Sequence, residues 1–139
     1  SHLDEDLVGR GVIVNREVQI HRKQRTDIRI DAVTNGSRRE DSDVLSVIVE
    51  VKGCWHSEVK KAMETQLFGR YLKDSDCEHG LYLIGWFMCD KWDTEDSRRK
   101  RVPKIRIGEA RTFFDKQAEE LSGRVAKNIR AFVMDTALP

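Results

Sequence analysis

Three strand-like stretches, the first two with a two-residue hydrophobic period, follow one another before any helical pattern begins, and that order limits the fold more than any other feature. GVIVNREVQIH, Gly11 to His21, places Val12, Val14, Val18 and Ile20 on one strand face and Asn15, Glu17 and Gln19 on the other. TDIRIDAV, Thr26 to Val33, alternates again, with Ile28 and Ile30 opposed to Asp27, Arg29 and Asp31. The third stretch, Val44 to Lys52, is rich in the β-branched residues that favour strands. Between them, RKQR, Arg22 to Arg25, reads as a hairpin connection. NGSRREDSD, Asn35 to Asp43, reads as a turn-rich loop.

The period then changes. Ser57 is the predicted N-cap of a helix, with Glu58 in its first turn. Val59, Ala62, Met63, Leu67 and Tyr71 recur at helical spacing, and Gln66 falls inside the same stripe. GLYLIGWFMC, Gly80 to Cys89, is a near-continuous apolar run that suits a strand covered on both faces. After a polar loop from Asp90 to Lys104, a second helix is predicted over Gly108 to Ser122. Ala110, Phe113, Phe114, Ala118 and Leu121 form its apolar stripe, and Gly123 is positioned to stop it. Ile129 to Met134 reads as a last strand. Hairpin-linked strands followed by crossover helices imply an α/β (mixed α+β) fold, a central mixed β-sheet flanked by helices.

At 139 residues the chain is long enough for one domain with one sizeable core, and residues 1–139 read as that domain. The segment before Gly11 is too short for a full helix, so a domain cut from a larger polypeptide is expected. Net charge is +1, which leaves any nucleic-acid-binding surface to be local. No apolar run has the length to cross a bilayer. Cys54, Cys77 and Cys89 are an odd number of cysteines. Reduced thiols and a cytoplasmic location are expected, with no membrane partner.

Glu50 and Lys52 sit inside the third strand, two residues apart, and so share one face while Leu45, Val47, Val49 and Val51 share the other. Burying a charge is costly unless it is paired or binds a metal. One reading is an ion pair at the rim of the sheet, worth about 0–1 kcal/mol if exposed. The other is a catalytic site. Asp27 opens the preceding strand, Gly53 lets the chain turn away directly after Lys52, and the following helix brings Gln66 back over the sheet. Carboxylates at neighbouring strand ends make a hard oxygen site suited to Mg2+, which usually takes one or two protein carboxylates plus waters and substrate phosphate oxygens.

An aspartate on one strand, glutamate-x-lysine on the next and a glutamine on the helix after it resemble the PD-(D/E)XK nuclease superfamily, the restriction-endonuclease-like fold. The matching residues are Asp27, Glu50-Val51-Lys52 and Gln66 in ETQLFGRYL, Glu64 to Leu72. The resemblance covers roughly Gly11 to Phe87. It implies metal-dependent hydrolysis of phosphodiesters, most simply by a DNA endonuclease domain of the kind used in bacterial restriction or defence. Asp27 and Glu50 would hold Mg2+ or Mn2+, Lys52 would act on water and phosphate, and Gln66 would support the site. Glu17 is the favoured additional acid, and Asp31 replaces Asp27 if the register is shifted. Thr26 stands where the name of the superfamily has proline. Expected partners are DNA, other domains of a larger polypeptide and a second copy of the chain. The alternative is an inactive nuclease-like domain serving as a nucleic-acid or protein interaction module.

The basic run Arg98, Arg99, Lys100 and Arg101, with Arg22, Lys23 and Arg25 of the hairpin, is the expected contact to nucleic-acid phosphates. Trp92, in the polar loop, is the tryptophan to test for base stacking. Gln117 reads as a helix-edge residue without a role. Cys54-Trp-His56 and Cys77-Glu-His79 leave one residue between ligands where structural zinc pairs usually have two to four, so they read as loop residues and reduced thiols.

Overall fold

A computed structural model describes residues 12–16, 19–21, 24–25, 28–33 and 44–137. The strands are β1 (Val12–Arg16), β2 (Gln19–His21), β3 (Gln24–Arg25), β4 (Ile28–Val33), β5 (Val44–Gly53), β6 (His79–Trp86) and β7 (Asn128–Asp135). Helix α1 is Met63–Leu72, and helix α2 is Ile107–Val125. Five strands form one mixed sheet in the order β1-β4-β5-β6-β7. Its β1-β4-β5 half is antiparallel and its β5-β6-β7 half parallel. The fold is therefore α/β with a mixed sheet, as the order of periodicities predicts.

The first predicted strand divides in two. β1 ends at Arg16, and Gln19–His21 pairs instead with Gln24–Arg25 in a separate two-stranded ribbon. Gln24 and Arg25 are thus strand residues and not part of the connection. That ribbon lies against α1.

Both helices pack on one face of the sheet. Ile48 and Glu50 of β5, Gly80, Tyr82, Ile84 and Trp86 of β6, and Ile129 and Val133 of β7 are buried on it. A Cβ added at Gly80 would stand 2.5 Å from Leu72 Cδ1, so the bare glycine lets α1 sit close on β6. From α2, Phe114 meets Tyr82 edge-on with ring centroids 6.0 Å apart. The opposite face carries Leu45, 46% exposed, and Phe132, 53% exposed. Among the described residues no helix covers it. β6 therefore alternates buried and half-buried positions, and is not covered on both faces as its apolar run implied.

Local structure departs from the sequence reading at the start of α1, in its winding and at the end of α2. Ser57 caps nothing. The His56 ring Nδ1 accepts the Glu58 N–H at 3.0 Å, and turns lead into a helix whose N-cap position is Ala62. α1 is wound as a π-helix, and Lys73 N–H still bonds the carbonyl of Phe68, five residues back. A Cβ at Gly69 would come within 3.0 Å of the Glu64 carbonyl, so glycine suits this winding. In α2, Gly123 lies inside the helix, which runs on to Val125 and ends at Ala126 in the left-handed region, φ 55° and ψ 35°. Phe114 is buried, whereas Phe113, placed on the apolar stripe by sequence, is exposed beside Lys60.

Candidate active site at the end of β5

β5 carries aliphatic residues on both faces, and only the helix-covered face carries the charge pair. Glu50 is 1% exposed and Lys52 14%, and Lys52 Nζ lies 2.9 Å from Glu50 Oε1. This is a buried ion pair near the C-terminal end of the strand and not an exposed pair at the rim. In the parallel ladder Glu50 stands beside Tyr82 and Lys52 beside Ile84. The Tyr82 hydroxyl donates to the Val59 carbonyl at 2.7 Å. Burial first, and the nearby Glu50 carboxylate second, push the Tyr82 phenol far above its ordinary range. Tyr82 thus stays a neutral donor.

Past Lys52 the chain makes a close internal contact. A Cβ on Gly53 would lie 2.5 Å from the Trp55 indole Nε1, so the absent side chain lets that ring fold back on the strand end. The Arg98 guanidinium sits 5.6 Å from the centroid of the Trp55 ring. Arg98 also reaches Asp96 through Nη2 at 2.7 Å and through Nε at 3.0 Å. The Arg98 guanidinium, then the Trp92 indole N–H at 2.9 Å, hold the Asp96 carboxyl well below the usual carboxylate range. Arg99 Nη1 donates to the Trp92 carbonyl at 2.7 Å. Trp92 packs on Phe87 with ring centroids 4.9 Å apart. So Arg98 and Arg99 anchor the short 3-10 turn Arg99–Arg101, and Trp92 is a packing residue. The tryptophan under a guanidinium is Trp55 and not Trp92.

Of the remaining expected site residues, Gln66 is half-buried on α1, which packs on β5 and β6. Asp31 is not brought to Glu50. It pairs with Ser46, four residues earlier on β5 and so about 13 Å away, and it accepts from the Ser46 hydroxyl and from Arg29 Nε at 3.1 Å. Asp27, Glu17, Arg22 and Lys23 lie outside the described residues, and of Arg25 only the backbone is described. Among the described residues, no group of three or more His, Cys, Asp or Glu side chains could hold a metal ion. The zinc set does not assemble either. Cys54 follows the C-terminal end of β5, whereas Cys77 precedes the N-terminal end of the parallel neighbour β6, and its thiol donates to the Ser46 carbonyl at 3.0 Å.

Gln117, read from sequence as having no role, ties α2 to the segment before α1, with Nε2 donating to the Lys60 carbonyl at 2.8 Å. Its place on the same stripe as the buried residues of α2 was the available signal.

No helix among the described residues is long and apolar enough to cross a membrane. No family model, no curated protein and no solved structure matches this chain.

Proposed function

We propose that this chain is a metal-dependent nuclease domain of the restriction-endonuclease-like type, hydrolysing phosphodiester bonds of DNA. The observation that carries the reading is the Glu50–Lys52 pair, almost wholly buried at a strand end. A buried ion pair is seldom the most stable choice for such a position, since hydrophobic residues of similar volume often match or exceed it. Groups held at that cost are candidates for chemistry.

The donor set fits a hard divalent cation at its lower limit. Mg2+ or Mn2+ needs one or two protein carboxylates, and Glu50 supplies one. Asp27 is the proposed second. In sequence, Asp27 and Glu50 are the residues next to the last described β4–β5 pair, Ile28 with Val49. Bound there, the ion would polarise the scissile phosphate and acidify a water. The chain's own part follows from charge and position. Lys52 brings a cation to the strand end, where it offsets charge gathering on the phosphate and orients the attacking water. Tyr82, neutral and bonded to Val59, fixes the wall beside Glu50 without adding charge. Gln66 supports the site from α1.

The test is incubation with plasmid, linear duplex, single-stranded DNA and RNA, each with Mg2+, Mn2+ or EDTA. Metal-dependent cutting that disappears in Glu50→Gln, while that variant remains folded, supports the reading. Equal cutting by Glu50→Gln and Lys52→Ala overturns the site assignment. Binding without cutting under every metal condition favours the non-catalytic interaction module instead.

A further inference from the structure

The basic turn rests on a residue that follows the charge pair closely along the chain. Trp55 is three residues beyond Lys52, so their Cα atoms are at most ~11 Å apart. Its ring carries the Arg98 guanidinium at 5.6 Å. Arg98 is in turn forked onto Asp96, and Asp96 accepts the Trp92 N–H. The next two basic residues after Arg99, Lys100 and Arg101, are exposed, and neither side chain is engaged by a described residue. The turn therefore divides its charges into a fixed base and a free tip.

We propose that Trp55, Arg98 and Asp96 form a strut that holds the turn beside the end of β5, so that Lys100 and Arg101 bind phosphates of the same nucleic-acid strand that enters at Glu50 and Lys52. Arg98 is then a positioning residue and not a phosphate ligand. This rests on the nuclease reading for the strand that enters the site. The partner is recognised by its polyanionic backbone, so binding is tolerant of sequence and sensitive to salt.

The distinguishing variant is Arg98→Lys. It keeps the charge but loses the planar fork that both grips a carboxylate and lies on an indole. The experiment measures affinity for fluorescent duplex and single-stranded oligonucleotides in EDTA across a salt series, with Mn2+-dependent cutting measured separately on the same preparations. Lys100→Ala/Arg101→Ala is expected to reduce the slope of log K against log salt by about 1.8 on duplex and about 1.4 on single strands, alike for unrelated sequences. Arg98→Lys is expected to lower the slope too, despite its unchanged charge, and to alter tryptophan emission while melting within a few degrees of the parent. An unchanged slope in the double variant overturns the phosphate-binding tip, and an unchanged slope in Arg98→Lys overturns the strut. If the parent cuts while both variants keep its slope, this inference fails and the nuclease reading stands. If the parent binds with the expected slope changes but never cuts, the hydrolytic reading fails and the binding tip stands. A parent that neither binds nor cuts sinks both.

Discussion

Tyr82 stands beside Glu50 in the β5–β6 ladder, and its hydroxyl is spent on the carbonyl of Val59. The phenol is therefore a buried donor held next to a buried carboxylate, and ionising it would place two negative charges side by side. The folded state keeps the phenol protonated well past its ordinary value of 10.0, whereas the unfolded chain releases that proton near 10. Above pH 10 the folded state binds more protons than the unfolded state, so stability falls as pH rises. The contribution is complete below about pH 10 and is lost progressively above it. Tyr82→Phe should cost about 1–3 kcal/mol at neutral pH, because the Val59 carbonyl loses its partner. It should also flatten the decline above pH 10. Thermal melts of parent and variant from pH 8 to 11 check both, and parallel curves would contradict the assignment.

The Glu50–Lys52 pair allows stability and activity to be separated. Lys52→Met removes the ammonium that neutralises a carboxylate 1% exposed, and is expected to cost about 3–5 kcal/mol in urea denaturation. Glu50→Leu/Lys52→Met removes both charges, and should recover most of that loss or exceed the parent. If the pair serves chemistry, the double variant will be stable and unable to cut. If the pair serves the fold, the double variant will be no more stable than Lys52→Met.

Gly53→Ala tests the close contact at the end of β5. The new Cβ would meet the Trp55 indole Nε1 at 2.5 Å, so the ring must swing away, and with it the surface on which Arg98 rests. Overpacking of this kind costs about 1–3 kcal/mol. Both a lower melting temperature and a shift in tryptophan emission are expected. A variant with parental emission would show that the ring does not abut the glycine.

The legible and illegible parts of this chain divide along physical lines. Strand order and mixed pairing follow from hydrophobic periodicity, which is local. The charge pair was visible because two ionisable residues interrupt a β-branched run. Which face the helices cover was not visible, because Val47 and Val49 make the outer face of β5 as apolar as the inner one. The Trp55–Arg98 contact joins residues far apart in sequence and has no local pattern to announce it. The π winding of α1 was equally hidden, since Val59, Met63, Leu67 and Tyr71 fit an α-helical stripe just as well. Asp31 could be placed on a face by parity, but its remoteness from Glu50 needed the register with Ser46.

The end of α2 offers a prediction that depends on the fold alone. The sequence puts glycine at position 123, where a helix stop was expected, yet the backbone turns left-handed at Ala126. An L-residue with a Cβ pays about 1–2 kcal/mol for that conformation, whereas glycine adopts it freely. Gly123 meanwhile weakens a helix interior by about 1 kcal/mol relative to alanine, and a Cβ there would meet nothing within 4 Å. Exchanging the two, Gly123→Ala/Ala126→Gly, should therefore stabilise the domain by roughly 2 kcal/mol, with each single variant contributing about half. Denaturant midpoints at unchanged slope measure this directly. If the helix instead stopped at Gly123, Gly123→Ala would destabilise the protein and Ala126→Gly would leave its stability almost unaltered.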